Sequence, residues 1–331
     1  IGKVKSVYRA NLKHDSDNNN QEVSYVSETA MCNNCSSPCN PSEFFPNIQG
    51  NLTKITWAHA VNSLTELDKA LSSADIMMLE GDVVIGKHTA NNATINDIPI
   101  MAHPPATESD LSLEEFLNIN INNGSKGIKL DFKSNEAFNN SKPILRKFQS
   151  SLKCPVILNA DILRGPVNAT IPLVNATEFL QEASKIIPNS ILSVGWTTKY
   201  EKEFNITESR YHMKQLKKMI EIVTENHINL PVTYPVRAGF ATNDIDGMKA
   251  LLKNTTSTGG ATLTIWSSKD DYVDVAKLSK LIKELGTDKV YLDVPEDLRK
   301  QLNFSSASTM TSAVMMNLFA SLAFLVLSRM L

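Results

Sequence analysis

From about Lys54 onward the chain repeats one texture: a short apolar run of strand character, then a longer segment with apolar residues at helical spacing. The strand-type runs are ITWAH (55–59), IMMLEGDVV (76–84), GIKLDFK (127–133), VILNADI (156–162), ILSVGW (191–196), PVTYPV (231–236), ATLTIW (261–266) and KVYLDV (289–294). Amphipathic helices are expected near 63–73, 111–121, 135–150, 177–187, 208–226, 243–253, 272–285 and 295–302. Ser63 and Asp110 stand where N-caps belong, and Pro295 suits a first helical turn. Parallel strands need long crossovers, so this alternation predicts a parallel sheet clothed in helices. About eight such pairs in about 250 residues match an α/β fold of the (β/α)8 TIM-barrel type. An open doubly wound sheet fits the alternation too, but it uses fewer strands, and no Gly-x-Gly-x-x-Gly turn follows the first one. PIMAH (99–103) is an extra strand-like excursion after the second strand. The expected organisation is a flexible polar arm over 1–50, a barrel over 54–302, and a C-terminal anchor signal over 303–331.

Charge and chemistry of the flanks narrow the function class. The formal net charge is −2, with no basic surplus to neutralise a phosphate backbone, so a nucleic-acid partner is not expected. Acceptor patterns Asn-x-Ser/Thr stand at Asn34, Asn51, Asn92, Asn123, Asn139, Asn168, Asn175, Asn205, Asn254 and Asn303, and their number favours a secreted or cell-surface glycoprotein. Cys32, Cys35, Cys39 and Cys154 read as two disulfides, against a zinc site that would need a histidine nearby. Residues 313–327, AVMMNLFASLAFLVL, are apolar and follow the small residues Ser305, Ser306 and Ala307. That order is the pattern of a GPI-attachment signal; a short transmembrane anchor is the alternative, although about 15 residues fall short of the ~20 that span a bilayer.

Charged groups inside apolar strands are costly to bury unpaired, so they mark chemistry. In (β/α)8 barrels the working residues stand at the C-terminal strand ends. His59 ends the first strand, with Asn62 shortly after. Glu80 and Asp82 lie two apart on the second strand and share a face, as do Lys129, Asp131 and Lys133 on the third. His103 arrives on the PIMAHPP segment. Glu80, Asp82 and Asp131 are hard oxygen ligands suited to Mg²⁺ or Ca²⁺, and Lys133 adds a positive charge. His59 and His103 fit proton transfer, and together these are the roles that phosphodiester cleavage requires. A single histidine is as readily structural; two of them with three strand carboxylates and a lysine predict a functional pocket. Asn159 and Asp161 share a face on the fourth strand and extend the pocket, unless Asp161 instead caps the next turn. Trp196, Tyr234, Arg237 and Trp266 stand at later strand ends, where they line a groove for a sugar, lipid or glycerol headgroup or pack over the barrel mouth. Arg237 matches a phosphate best. His14, His88, His212 and His227 are expected at the surface, and Lys214–Lys218 on a solvated helix face.

The stretches TWAHAVNS (56–63), LEGDV (79–83), PIMAHPP (99–105), GIKLDFKS (127–134), LNADILRGP (158–166), LSVGWTT (192–198) and PVTYPVRA (231–238) resemble the menorin family, in order and over nearly the whole globular part. That family is grouped with the PLC-like phosphodiesterase barrels. Their glycerophosphodiester phosphodiesterase and sphingomyelinase D members are similar to this chain more faintly. The resemblance implies a strand-one histidine paired with a Glu-x-Asp, a second histidine and a later acid-x-Lys. Those positions are matched by His59, Glu80, Asp82, His103, Asp131 and Lys133. The enzymes commonly carry Arg directly after the first histidine; Ala60 stands there, which removes a phosphate contact and disfavours classical glycerophosphodiester substrates. Menorin-family proteins are associated with extracellular patterning beside adhesion molecules, so cell-surface adhesion-type proteins are expected partners. Two functions are carried forward: a metal-dependent phosphodiesterase acting on a lipid or glycerol headgroup, and a surface recognition module displayed on the same barrel.

Overall fold

The computed structural model describes residues 40–90, 93–169, 173–199, 209–255, 257 and 259–304. Its strands, in chain order, are β1 (Trp57–Ala58), β2 (Met78–Ala90), β3 (Ala93–Met101), β4 (Glu108–Ser109), β5 (Gly127–Phe132), β6 (Val156–Arg164), β7 (Ile191–Thr197), β8 (Val232–Arg237), β9 (Ala261–Trp266) and β10 (Val290–Asp293). The helices are α1 (Pro41–Phe44), α2 (Leu64–Ser72), α3 (Leu113–Asn123), α4 (Asn135–Phe148), α5 (Ala176–Ile186), α6 (Met213–Glu225), α7 (Ala238–Ala241), α8 (Ile245–Asn254), α9 (Val275–Leu285) and α10 (Glu296–Gln301). Eight strands run side by side in the order β1-β2-β5-β6-β7-β8-β9-β10, every neighbouring pair parallel. This is the expected (β/α)8 barrel.

Local chemistry explains why each helix starts where it does. Ser63, Ser134, Asn175, Asp244 and Asp274 each turn a side-chain oxygen onto a free N–H of the first helical turn of α2, α4, α5, α8 and α9. For α3 the cap is Ser112, in a reciprocal box with Glu115, and not Asp110. Asp110 instead accepts the Leu64 N–H at 3.0 Å and ties α2 to this corner. Pro295 occupies the N-cap position of α10.

No ladder joins β10 to β1 among the described residues, because β1 pairs over only two residues. Side chains hold that seam. Arg299 donates to the carbonyls of Thr53, Ile55 and Leu292, and Trp57 meets Tyr291 edge to face. Residues 41–48 belong to the barrel rather than to a flexible arm. Phe45 and Ile48 are buried with Leu52, Ile55, Met78, Ile157, Ile191 and Tyr291, and so plug the N-terminal ends of the strands. The arm through residue 39, the cysteines Cys32, Cys35 and Cys39, and the tail from 305 lie outside the described residues. Among the described residues no helix is long and apolar enough to cross a membrane.

The excursion at 99–103 is the end of a long antiparallel hairpin. β2 runs past the barrel to Ala90 and returns as β3, in register from Val83↔Met101 to Ala90↔Ala93 with one shift near Gly86. His88, on this hairpin, is 7% exposed and 2.8 Å from Glu115 of α3, so it is not a surface residue. His212 and His227 are exposed, as are Lys214, Lys217 and Lys218 on α6.

Candidate functional site

The ladder register gathers the polar residues into layers across the barrel interior. Glu80 stands beside Lys129, Asp82 beside Asp131, Asp131 beside Asn159, and Asn159 beside Ser193. Inward-facing positions of a barrel are normally filled by branched apolar side chains, so a polar layer at this level departs from simple packing. Each member is satisfied by its neighbour. Ser193 donates to Asn159 at 2.5 Å, and Asn159 Nδ2 donates to Asp131 at 2.6 Å. Lys133 Nζ bonds both Asp131 and Asp82, the latter at 2.7 Å. Asn62 locks Asp82 from the other side, donating to its carboxylate at 2.8 Å and accepting its backbone N–H at 2.9 Å. Glu80 accepts the Ala60 N–H at 2.9 Å, with Lys129 at 4.0 Å.

His59 is the first residue after β1, and its Nδ1 lies 2.9 Å from Asp293 and 3.5 Å from Glu80. Asp293 closes β10, so this imidazole also bridges the barrel seam. Asp293 carries a signal that reasoning on the sequence could have used: it is an acid in an apolar strand, like Glu80. The half-exposed His59 ring is raised to about 9, chiefly by the Glu80 charge, against burial and with help from Asp293. Burial pushes Glu80 upward, while His59 and Lys129 pull against it. Burial also pushes Asp131 up, but the Lys133 and Lys129 charges and the hydrogen bonds from Lys133 and Asn159 outweigh it and hold Asp131 below its ordinary value. Burial lowers the Lys133 ammonium less than Asp131, Asp82 and Glu80 raise it, so its proton is held tightly.

One oxygen from each of Glu80, Asp82 and Asp131 lies within 4.8 Å of the other two. Ligands on one ion at about 2.1–2.5 Å stand at most about 5 Å apart, so this all-oxygen set fits Mg²⁺ or Ca²⁺. Glu80 and Asp82 are almost wholly buried; Asp131 and Lys133 are more open and give the set its access to solvent. A cavity of ≈ 1220 Å³ runs beside the seam, walled by Trp57, His59, Ser267 and Asp293; the three carboxylates are not in its wall.

The remaining expected residues fall into different places. His103 is exposed, just beyond Ala102, whose N–H bonds the Asp82 carbonyl at 3.0 Å. Its Nδ1 lies 2.7 Å from the Pro104 carbonyl. A carbonyl only accepts, so Nδ1 carries the hydrogen and a neutral ring has its lone pair on Nε2. Arg237 is not open to phosphate. Its guanidinium grips Asp271 with two bonds of 2.6 and 2.7 Å and lies 4.9 Å over the Trp266 ring. Trp196 is 2% exposed and packs between Tyr211 and Tyr234, so it forms core and not a groove wall; Tyr234 is buried with it. Among the described residues the Asp161 side chain caps no turn; its backbone carbonyl accepts the Val174 N–H at 3.0 Å.

The family model for the menorin N-terminal domain matches residues 51–299. The human protein FAM151B is 35% identical over 243 residues, which cover 73% of this chain and 83% of that protein. A crystal structure of a glycerophosphodiester phosphodiesterase from Parabacteroides distasonis aligns over 75% of this chain and 93% of that one, at 14% identity and a TM-score of 0.40. On the family model and the human relative, the chain belongs to the menorin family.

Proposed function

We propose that the barrel mouth is a divalent-cation-dependent pocket for a phosphoryl group, of phosphodiesterase type, in a protein that works in extracellular recognition. The observation that carries this is the convergence of Glu80, Asp82 and Asp131 within 4.8 Å, beside a paired lysine and histidine. Glu80, Asp82 and Asp131 would hold Mg²⁺ or Ca²⁺, which when bound supplies Lewis-acid charge to a phosphoryl oxygen. Lys133 brings a fixed ammonium to the same place. His59, held protonated by Glu80 and Asp293, is suited to give a proton to a leaving oxygen. His103, whose Nδ1 faces the Pro104 carbonyl, offers Nε2 as the acceptor when the ring is neutral and is then suited to take a proton from an attacking hydroxyl. The test is cleavage of phosphodiesters by purified protein with Mg²⁺ or Ca²⁺. The expected rate is lost in Glu80→Gln and His59→Ala; equal rates in wild type and both variants would remove the reading.

A second reading, recognition without turnover, is favoured by two observations. Ala60 offers no charge directly after His59, and Arg237 is committed to Asp271. Exposed acceptor asparagines at Asn123 and Asn139 and the apolar tail fit a glycosylated, membrane-anchored display at the cell surface. Here Glu80→Gln leaves binding to adhesion-type ectodomains intact while substitutions on the outer helices abolish it. Failure to bind any such ectodomain contradicts this second reading.

A further inference from the structure

Among the described residues, the acids around the mouth have partners, with one exception. Glu80 has the Ala60 N–H and His59; Asp82 has Asn62 and Lys133; Asp131 has Asn159 and Lys133. Asp293 has His59, and Asp271 has Arg237. Asp161 projects from the same inward face of β6 as Asn159, and among the described residues no donor or cation bonds its carboxylate. Asp161 is half-buried, and an acid in so enclosed a place with no protein donor is left for solvent or a ligand to satisfy.

The chain spends a strand glycine on this acid. Gly195 is the register partner of Asp161 on β7, and a Cβ placed there would lie 2.5 Å from Asp161 Oδ1 and 2.7 Å from Pro235 Cγ. Any other residue at 195 would force the carboxylate or the Pro235 ring to shift, whereas glycine in a strand interior costs stability. The carboxylate thus rests against the bare backbone of Gly195, and Asp161 stays partly open to solvent. Burial, reinforced by the Asp131 charge and opposed by Lys133 and Lys129, raises this acid to about 7. The Tyr211 hydroxyl feels the same carboxylate, but donates no bond to it.

We infer that Asp161 reads the ligand: it accepts a hydrogen bond from a hydroxyl or ammonium group carried next to the bound phosphoryl group. The ligand class is then a phosphoryl compound with a donor-bearing headgroup, as opposed to bare phosphate. This rests on the phosphoryl pocket proposed above. Such a group supplies the partner that the protein withholds, and selection by a waiting polar group is strong because the wrong ligand leaves it unpaired.

The test uses calorimetric titration at saturating Mg²⁺ with three probes: inorganic phosphate, glycerol 3-phosphate as the hydroxyl source, and phosphoethanolamine as the ammonium source. The expected result is that at least one headgroup phosphate binds about tenfold or more tighter than inorganic phosphate, in keeping with one bond to a charged acceptor. That preference disappears in Asp161→Ala while affinity for inorganic phosphate stays. A preference of the same size in Asp161→Ala, or none in the wild type, overturns the inference and leaves the phosphoryl pocket standing. No binding of any probe removes the pocket itself and this inference with it. Stability gives an independent reading. The folded acid is raised above its unfolded value, so its unfavourable contribution grows as pH rises from about 4 to about 7. Asp161→Asn is therefore expected to melt higher than wild type at pH 8 and about equally at pH 4. A variant that melts lower at both, or does not fold, shows Asp161 to be structural and overturns the inference.

Discussion

The two halves of the barrel mouth bury polar chemistry in opposite ways. On the side of β1, β2, β5 and β6, carboxylates, amides and lysines form a connected layer that reaches solvent through Asp131 and Lys133. On the side of β7, β8 and β9, Trp196, Tyr211 and Tyr234 pack into one buried aromatic cluster, and the Arg237–Asp271 pair, with Asp271 on the loop after β9, is almost wholly buried. Arginine at a strand end is thus not in itself a ligand contact. What separates the halves is whether the partner of each charge is spent internally on a single, closed pair or shared across several groups with an opening. The first arrangement serves stability; the second can exchange a protein partner for a ligand.

Substitutions should separate the two halves, and the largest effects belong to the closed one. Asp271→Ala removes the carboxylate that Arg237 grips in a buried place, and is expected to cost ~3–5 kcal/mol in urea unfolding. Trp196→Ala empties a packed site and should cost a similar ~3–5 kcal/mol. Neither should change cation affinity in the protein that remains folded; if either does, the halves are coupled. On the open side the order reverses. Glu80→Gln or Asp131→Asn is expected to weaken Mg²⁺ or Ca²⁺ binding by more than the ~10–100-fold typical of an outer-shell loss, and Asn159→Ala by about that smaller amount. Unfolding should move little in Glu80→Gln, since one of three crowded like charges is removed.

The smallest expected effect is a titration. His59 should lose its proton near pH 9 in cation-free protein, as followed by imidazole NMR, and at lower pH once Mg²⁺ or Ca²⁺ neutralises Glu80. The sign for stability follows from the raised folded value. The contribution of His59 is fully present below its unfolded value of about 6.5 and is lost as pH rises through 9. Asp293→Asn should lower the midpoint. An unshifted midpoint in that variant contradicts the pairing across the seam.

Much of the open half was legible in the amino-acid sequence because strand periodicity is simple. Glu80 and Asp82, or Asp131 and Lys133, share a face by spacing alone. Which strands become neighbours in a barrel follows from chain order, so their meeting is also predictable. The closed half was not legible, since nothing local tells Arg237 that Asp271 will arrive from the next strand's loop, 34 residues on. Trp196 reads as a groove wall from its position at a strand end, but only the packing of Tyr211 and Tyr234 around it shows that it is enclosed. Asp293 went unremarked because its partner, His59, is 234 residues away. The plug formed by Phe45 and Ile48 was hidden by the polar residues around them, which mimic an arm.

The most direct measurement is anomalous diffraction from crystals grown with Mn²⁺, whose signal locates an ion without reference to activity. The outcome foreseen is one peak ligated by Glu80, Asp82 and Asp131, with the Lys133 ammonium withdrawn from Asp82. A map without a peak there at saturating Mn²⁺, with Lys133 still joining Asp82 to Asp131, contradicts the cation pocket on which the functional reading stands.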